Sequence, residues 1–225
     1  MNLRFEQIKL PTIKEQVYEI IKENILTGKL KPGAWLQENK LADSLNVSRS
    51  PVREALKQLV GEGLLVNIPN KGVFVKTLSI KDIYNIFEFR EVMEKYAIKK
   101  SIDLFTDEYG EGLDKIYIDL KDAFEKADLN QYIKIDTKLH YFLFEMCDNE
   151  IINNVVNNVF PLLQPFRIIS LNSKARFDES FEEHKGLING IIEGDFDKAW
   201  GYNKVHLRKA RDEIIKHLES LSKNL

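Results

Sequence analysis

The 225-residue chain lacks the features that are typical of secreted and membrane proteins. Its single cysteine, Cys147, excludes an internal disulfide and suits a reducing compartment, so we expect a cytoplasmic protein. No apolar run approaches the roughly 20 residues that a membrane-spanning helix needs, and the N-terminus lacks a signal-peptide pattern. We therefore expect no membrane partner. The apolar fraction of 44% still allows one large or two modest cores.

The chain also lacks an overall excess of basic residues, since its net charge is −2. The two parts of the chain differ, however. Residues 1–77 contain 12 Lys and Arg against 8 Asp and Glu, a net charge of +4, whereas the remainder carries −6. A basic N-terminal part is what attraction to DNA phosphates requires.

Residues 41–56 have the pattern of a helix-turn-helix. Residues 41–47 predict a short helix followed by a tight turn, and Ser48 is placed to cap a second helix. Arg49 and Arg53 are four residues apart in that second helix and share one face. Near the N-terminus of a helix, such a face can enter the DNA major groove.

The segment that follows predicts a β-wing. Residues 64–75 read as two short strands around an Asn-Lys-Gly turn. Upstream, a first helix is predicted from about Thr12 to Thr27 and ends at Gly28, after a loose arm over residues 1–11. We therefore expect residues 1–77 to form a winged helix-turn-helix domain.

The candidate DNA contacts of this domain are Ser48, Arg49, Ser50, Arg53, Lys71 and Gly72. We expect the two arginines to reach base edges or the flanking phosphates, because arginine can bond guanine with two hydrogen bonds. The two serines are expected to cap the helix and touch phosphate. Lys71 and Gly72, at the wing tip, should reach the minor groove or backbone. For Lys71, an ordinary exposed residue in a turn is an equally good interpretation.

Residues 78–225 show no strand pattern and predict an all-α bundle. Helical periods fill about 79–104, 107–127, 128–147, 150–171, 174–193 and 195–222. Ser79 and Asp82 have the spacing of a capping box at the first of these. Pro161 and Pro165 should kink the fourth, which gives six helices, or seven if the kink splits one.

Histidine is scarce, and three of the four histidines fall on apolar helix faces. Asp136 and His140 lie four apart on one such face, while His184 and His206 lie on two others. A buried, unpaired Asp is costly, and a divalent metal held by Asp136 and the three histidines would remove that cost. Separately satisfied core histidines are the alternative, and the residues alone do not decide. His217 is about 16 Å along the helix from His206, so it is expected to be structural.

Several short motifs in the N-terminal part resemble the GntR family of bacterial transcription regulators, in register over residues 12–77. These motifs are GKLKPGAWL (28–36), LA (41–42), SRSPVREAL (48–56), GL (63–64) and GVFV (72–75). The resemblance implies binding to an inverted-repeat operator in double-stranded DNA by a homodimer. The helical bundle is then expected to supply most of the dimer contact.

The C-terminal part resembles the FCD effector domain, which follows the winged domain in the FadR subfamily. The resemblance covers about residues 80–218 and rests on REVME (90–94), DTKLH (136–140), EH (183–184) and HL (206–207). It implies a divalent metal, zinc first and nickel or manganese otherwise, on Asp136, His140, His184 and His206. A small organic acid is then the expected effector.

Arg90 is the candidate effector-binding residue. It lies on an apolar helix face one turn before Glu94, which allows two interpretations. The arginine could form a buried ion pair with Glu94, or it could hold the carboxylate of the effector beside the metal.

We therefore expect a DNA-binding transcription regulator, not an enzyme, whose operator affinity depends on a small carboxylate bound next to a metal. A regulator that senses the metal directly is one alternative. A metal-dependent hydrolase is another, because three histidines and a carboxylate can also activate water. The last is an architectural DNA protein with a vestigial pocket.

Overall fold

The structure is a computed structural model that describes residues 11–171 and 173–222. The chain forms two compact units, of which the first ends at Thr77 and the second begins at Leu78. The arm predicted for residues 1–11 lies, apart from Pro11, outside the described residues. Within the described part, no helix has both the length and the apolar character needed to cross a membrane.

The first unit combines three helices with a small antiparallel sheet, as the winged helix-turn-helix interpretation predicted. Its elements are α1 (Ile13–Leu26), β1 (Trp35–Leu36), α2 (Glu38–Leu45), α3 (Arg49–Gly61), β2 (Leu65–Ile68) and β3 (Gly72–Val75). The strands β2 and β3 form the predicted wing, and β1 pairs with the other edge of β3. The strand β1 was not predicted, because two residues are too few to show a period.

Local sequence accounts for the ends of α1. The side chain of Thr12 accepts a hydrogen bond from the backbone N–H of Glu15, whose carboxylate accepts one from the backbone N–H of Thr12. This capping box satisfies N–H groups that the helix cannot pair itself. After the last turn, Gly28 takes a left-handed φ of 72° and ends the helix.

The core of the first unit divides α3 into a buried face and an exposed face. Val52, Leu56 and Leu59 pack inward against α1 and the sheet. Arg49 and Arg53 lie on the exposed side of the same helix. Burial of the apolar stripe therefore fixes the direction in which both arginines point.

The second unit is the predicted all-α bundle. Its described elements are α4 (Ile80–Asp103), α5 (Asp107–Glu125), α6 (Leu129–Glu145), α7 (Glu150–Val159), a 3-10 helix (Phe160–Leu163), α8 (Gln164–Ser170), α9 (Lys174–Ile192) and α10 (Phe196–Ser222). The two prolines split the fourth predicted helix into α7, the 3-10 turn and α8, which gives seven α-helices among the described residues. Ser79 and Asp82 form the predicted capping box.

Helices α9 and α10 pack at short range because small residues face each other. A Cβ added at Gly190 would lie 2.5 Å from the backbone N and 2.8 Å from the Cα of Ala199. Backbone atoms cannot move aside as a flexible side chain can. The rings of His184 in α9 and His206 in α10 lie with their centroids 4.2 Å apart.

Gly190→Ala should therefore separate α9 from α10 and destabilise the protein by about 1–3 kcal/mol, the usual cost of overpacking. Urea unfolding measures this cost as a lower transition midpoint. Gly201→Ala in α10 is the matched control, because no atom lies within 4 Å of the added Cβ. Its stability should stay unchanged or rise by up to about 1 kcal/mol through helix propensity. Equal midpoints for the two variants would contradict the packing argument.

Candidate metal centre and nucleic-acid interface

Four side chains that the sequence placed on three separate helices converge in the second unit. Asp136 and His140 come from α6, His184 from α9 and His206 from α10, and all four are buried. One potential ligand atom from each lies within 4.8 Å of the others. The structure thus brings together every residue of the predicted metal set; we call these four residues the Asp/His cluster.

One carboxylate oxygen is the centre of the Asp/His cluster. The Oδ1 atom of Asp136 lies 3.0 Å from Nε2 of His184, 3.7 Å from Nε2 of His140 and 3.8 Å from Nε2 of His206. The Nε2 atom of His184 is buried without a hydrogen-bond partner among the described residues. A buried polar atom that lacks a partner is costly, and a cation at this point would satisfy it.

The opposite nitrogen of each imidazole has its own partner. Nδ1 of His140 lies 2.9 Å from Oε2 of Glu94, and Nδ1 of His206 lies 3.2 Å from Oε2 of Glu183. With Nδ1 protonated, each histidine donates to its carboxylate and turns the lone pair of Nε2 towards Asp136. Hydrogen bonds of this kind orient the histidine ligands of metal sites.

His184 is oriented by a hydroxyl group instead of a carboxylate. Nδ1 of His184 lies 3.0 Å from Oη of Tyr132, which itself donates to Oγ of Ser180 at 3.2 Å. The tyrosine oxygen can therefore accept the proton of Nδ1. Neither Tyr132 nor Ser180 was identified from the sequence, where an aromatic residue on an apolar face reads only as core.

Three buried arginines surround the Asp/His cluster, and each pairs with a buried carboxylate. The pairs are Arg90–Glu94, Arg167–Asp136 and Arg176–Glu183. The ion pair that the sequence offered as one interpretation of Arg90 is present, with Nε 2.7 Å from Oε1 of Glu94. Its Nη2 nevertheless has no hydrogen-bond partner among the described residues. The ion pair thus leaves one donor of Arg90 for a ligand.

Arg167 and Arg176 were not identified from the sequence. The helix α8 is too short to show a helical period, and Arg167 is its basic residue. A charged residue inside the apolar run PFRII was nevertheless a usable signal for a buried ion pair. Arg176 lies near the start of α9 and gave no such signal.

Burial sets the protonation state of the three histidines. Burial and the charge of neighbouring histidines lower the pKa of His184 and of His206 well below the ordinary 6.5. Burial also lowers the pKa of His140, against the opposing effect of Glu94. All three imidazoles are consequently neutral at pH 7, the form that binds metal ions.

Glu94 stays ionised although it is completely buried. Burial alone would raise its pKa, but the charge of Arg90 and hydrogen bonds from His140 and Asn203 lower it by more. Its net pKa therefore lies well below the ordinary 4.5. An ionised Glu94 can hold the Nδ1 proton of His140 in place.

In the first unit, the structure places the recognition residues around the start of α3. Arg49 is the first residue of α3 and is exposed. Ser48 occupies the N-cap position, but its side chain makes no capping hydrogen bond, and Ser50 lies within the first turn. The predicted capping hydrogen bond to the side chain of Ser48 is therefore absent. Both serines remain exposed at the end of the helix where phosphate binding is favourable.

Arg53 is held by Glu38, a contact that the sequence did not predict. Its Nη2 lies 3.1 Å from Oε2 of Glu38 in α2, and its Nε lies 3.1 Å from the same oxygen. The guanidinium remains about half exposed, so Glu38 restricts its direction without burying it.

The wing tip faces the same groove as Arg53. Lys71 is exposed between Asn70 and Gly72, which take left-handed φ values of 63° and 105°. A Cβ at Gly72 would lie 2.8 Å from Nε1 of Trp35, so this turn requires glycine. A groove of about 630 Å³ between α3 and the wing is lined in part by Arg53, Lys71 and Gly72.

Tyr132→Phe tests the support of the Asp/His cluster without any metal. The change leaves Nδ1 of His184 and Oγ of Ser180 without their partner, so metal-free protein should lose about 1–3 kcal/mol of stability. Chemical denaturation measures this loss. Tyr202→Phe, at an exposed position, is the control and should change stability by less than about 0.5 kcal/mol. A Tyr132→Phe protein as stable as the control would show that the hydroxyl does not hold His184.

Two known families match this chain, one on each side of the boundary between its two units. The family described as "Bacterial regulatory proteins, gntR family" matches residues 13–75, and "FCD domain" matches residues 85–209. The chain is 29% identical to the gluconate operon transcriptional repressor of Bacillus licheniformis over 198 residues, 88% of this chain and 77% of that protein. It is 26% identical to the Nta operon transcriptional regulator of Aminobacter aminovorans over 185 residues, 82% and 86% of the two chains.

Solved structures of known proteins share this fold. The fold matches E. coli McbR/YncC with a TM-score of 0.78 at 21% identity, over 93% of this chain and 100% of that one. The Zn²⁺-bound FCD domain of TM0439 matches with a TM-score of 0.54 at 27% identity, over 64% of this chain and 99% of that one. FCD domains can therefore bind metal, and both matched domains are regulatory and not enzymatic. The chain belongs to the GntR family of DNA-binding transcription regulators and carries an FCD domain behind its winged helix-turn-helix.

Proposed function

We propose that this regulator belongs to the FadR subfamily and that a small carboxylate, bound beside a divalent metal, controls its affinity for an operator. Residues 1–77 are the DNA-binding domain, and residues 78–225 bind the effector and form the homodimer. The observation that carries the proposal is the Asp/His cluster, in which each buried imidazole points Nε2 towards Asp136 and bonds another partner through Nδ1.

The residues of the Asp/His cluster fit a divalent transition metal. Three neutral imidazoles and one carboxylate oxygen are the donor set that zinc, nickel and manganese accept, and zinc is the first candidate. The Zn²⁺-bound relative supports this choice. When bound, the ion supplies a positive charge that can attract an acid. Glu94, Glu183 and Tyr132 keep the imidazoles in the orientation that binding needs.

Arg90 is the proposed contact for the carboxylate of the effector. Its guanidinium is buried over the rings of Phe87 and Phe160, and Glu94 holds its Nε. The remaining Nη2 has no partner among the described residues, and the side chain lines a cavity together with Asp136 and His206. An arginine fixed in this way loses little entropy on binding a carboxylate.

The DNA contacts are of two kinds: some recognise bases, and others position the domain on the phosphate backbone. We propose that Arg49 and Arg53 reach base edges or the adjacent phosphates, and that Glu38 orients Arg53 for this contact. Ser48 and Ser50 contact phosphate, and Lys71 and Gly72 bring the wing to the minor groove or backbone. One such domain covers a half-site, so a homodimer reads an inverted repeat. The effector changes operator affinity only as far as it prefers one arrangement of the dimer.

Metal content measured by mass spectrometry tests the proposed ligands. Wild-type protein reconstituted with zinc should hold about one ion per chain, as a closed set of protein ligands does. His184→Ala and the double variant Asp136→Ala with His140→Ala should lose it. His217→Ala removes the one histidine outside the Asp/His cluster and should keep the full content. Wild-type protein without metal after treatment with zinc, nickel or manganese would refute the site, as would unchanged content in His184→Ala.

Arg49→Ala tests the recognition helix. On an operator selected from a random DNA library, the variant should lose about 1–3 kcal/mol of binding free energy and relax base preference at one position of each half-site. Fluorescence anisotropy with the operator and with a scrambled duplex measures both effects. The same loss on both duplexes would show that Arg49 contacts only phosphate.

A further inference from the structure

The groove of about 630 Å³ between α3 and the wing, the α3–wing groove, is lined by basic side chains. Arg53, Lys57 and Lys71 all line it and are exposed. Glu38 is the one acidic residue among the described residues of that lining, and it is paired with Arg53. Lys57 lies 3.0 Å from Glu54, but an exposed pair of this kind is weak and open to competition from another anion. The α3–wing groove therefore suits an occupant that carries repeated negative charge.

The proposed DNA contacts lie on both sides of the α3–wing groove. Arg49 and Arg53 belong to α3, for which we propose the major groove of DNA, and Lys71 and Gly72 form the wing tip, for which we propose the minor groove. In a duplex, a sugar-phosphate backbone separates the major groove from the minor groove. A domain that reaches into both DNA grooves at once therefore has this backbone between α3 and the wing.

An exposed tryptophan forms part of the wall of the α3–wing groove. Trp35 lies in β1 opposite Phe74 of β3, and the two rings are stacked with their centroids 6.4 Å apart and their planes at 18°. Trp35 is nevertheless 56% exposed. Covering a large aromatic surface of this kind stabilises a complex, because the surface is removed from water.

The polar edge of this indole lies at the wing tip. Nε1 of Trp35 is 2.8 Å from the point that a Cβ of Gly72 would occupy, so glycine at this position leaves room for the indole edge. The indole N–H can only donate a hydrogen bond, and it has no acceptor among the described residues. Stacking on Phe74 holds this donor in one direction before any ligand arrives. A fixed N–H beside Lys71 suits an oxygen of a DNA phosphate.

We propose that the sugar-phosphate backbone of DNA lies in the α3–wing groove and that Trp35 holds it there. Nε1 of Trp35 donates a hydrogen bond to a phosphate oxygen, and the ring packs against the adjoining deoxyribose. The inference rests on the proposed DNA binding and adds a contact from β1, outside both the recognition helix and the wing hairpin. Because the backbone is the same in every DNA sequence, Trp35 contributes to affinity and not to the choice of bases.

The uncharged indole differs from a lysine in a way that an experiment can measure. A lysine that neutralises a phosphate releases counterions, so its removal makes DNA affinity less dependent on salt. Trp35 carries no charge, and its removal should weaken binding without changing the salt dependence. Trp35 and Lys71 are therefore distinguishable although both are proposed to contact the backbone.

The first test uses the fluorescence of the full-length protein, whose two tryptophans are Trp35 and Trp200. In Trp200→Phe protein, all tryptophan emission comes from Trp35. An operator duplex selected from a random library should reduce the quenching of this emission by acrylamide, because the DNA covers the indole. In Trp35→Phe protein, the emission comes from Trp200 in α10, and the duplex should leave its quenching unchanged.

The second test measures DNA affinity of Trp35→Phe, which keeps a ring on Phe74 but removes the donor. Affinity should fall by about 3- to 10-fold on the operator and on a scrambled duplex alike, which is the usual value of one hydrogen bond. The slope of affinity against salt should stay that of the wild type, whereas Lys71→Gln should reduce it by about one. Val66→Thr, at an exposed position of β2 outside the groove lining, is the matched control and should keep wild-type affinity.

Operator duplexes with single neutral methylphosphonate linkages locate the contact. At one position in each half-site, the replacement should weaken binding of the wild type by about 3- to 10-fold but that of Trp35→Phe by less than about twofold. Non-additivity of this kind identifies two groups that contact each other. Should Trp35→Phe fail to fold, the quenching measurement in Trp200→Phe still decides whether DNA covers the indole.

The contrary results separate this inference from the function on which it rests. A wild-type protein that binds no DNA would refute the proposed function and the inference with it. DNA binding that leaves the quenching of Trp35 unchanged would overturn the inference and leave the proposed function standing. A loss confined to the operator would show that Trp35 contacts bases instead of phosphate. Equal effects of every methylphosphonate on wild type and Trp35→Phe would overturn the phosphate contact.

Discussion

The second unit depends on the rule that a buried charge needs a partner. Asp136 lies at the centre of the bundle, where an unpaired carboxylate would cost several kcal/mol. Arg167 pairs with one of its carboxylate oxygens, and three imidazole nitrogens lie around the other, where a cation would fit. These groups come from four helices. Asp136 and His140 lie in α6, Arg167 in α8, His184 in α9 and His206 in α10.

Three buried arginines pair with the three buried carboxylates around the Asp/His cluster. Asp136 connects these ion pairs to the imidazoles, because its Oδ2 pairs with Arg167 while its Oδ1 lies 3.0 Å from Nε2 of His184. A small cavity lined by Arg90, Arg167 and His206 lies beside this carboxylate. The first unit follows a different rule, in which burial of one face of α3 leaves its arginines exposed to solvent.

Local features were predictable because they depend on neighbours in the chain. The four-residue spacing of Asp136 and His140 places both on one helix face whatever surrounds it. The capping box at Ser79, the break at Pro161 and Pro165 and the left-handed turn around Lys71 depend equally on nearby residues. For the same reason, the helical and winged character of the two units was correctly predicted, and so was the presence of a family-specific DNA-binding motif.

Sequence by itself thus determined which helix faces are apolar, where most helices begin and end, and that Asp136, His140, His184 and His206 lie on inward faces. Only the tertiary structure decided what those buried residues meet. Arg167 is 31 residues from Asp136, and Tyr132 is 52 from His184, so helical periodicity cannot relate them. The pairing of Glu38 with Arg53 and the strand β1 also depend on packing between elements. The physical reason is that a side chain's partner across a core is chosen by helix packing and charge balance, neither of which is written in local spacing.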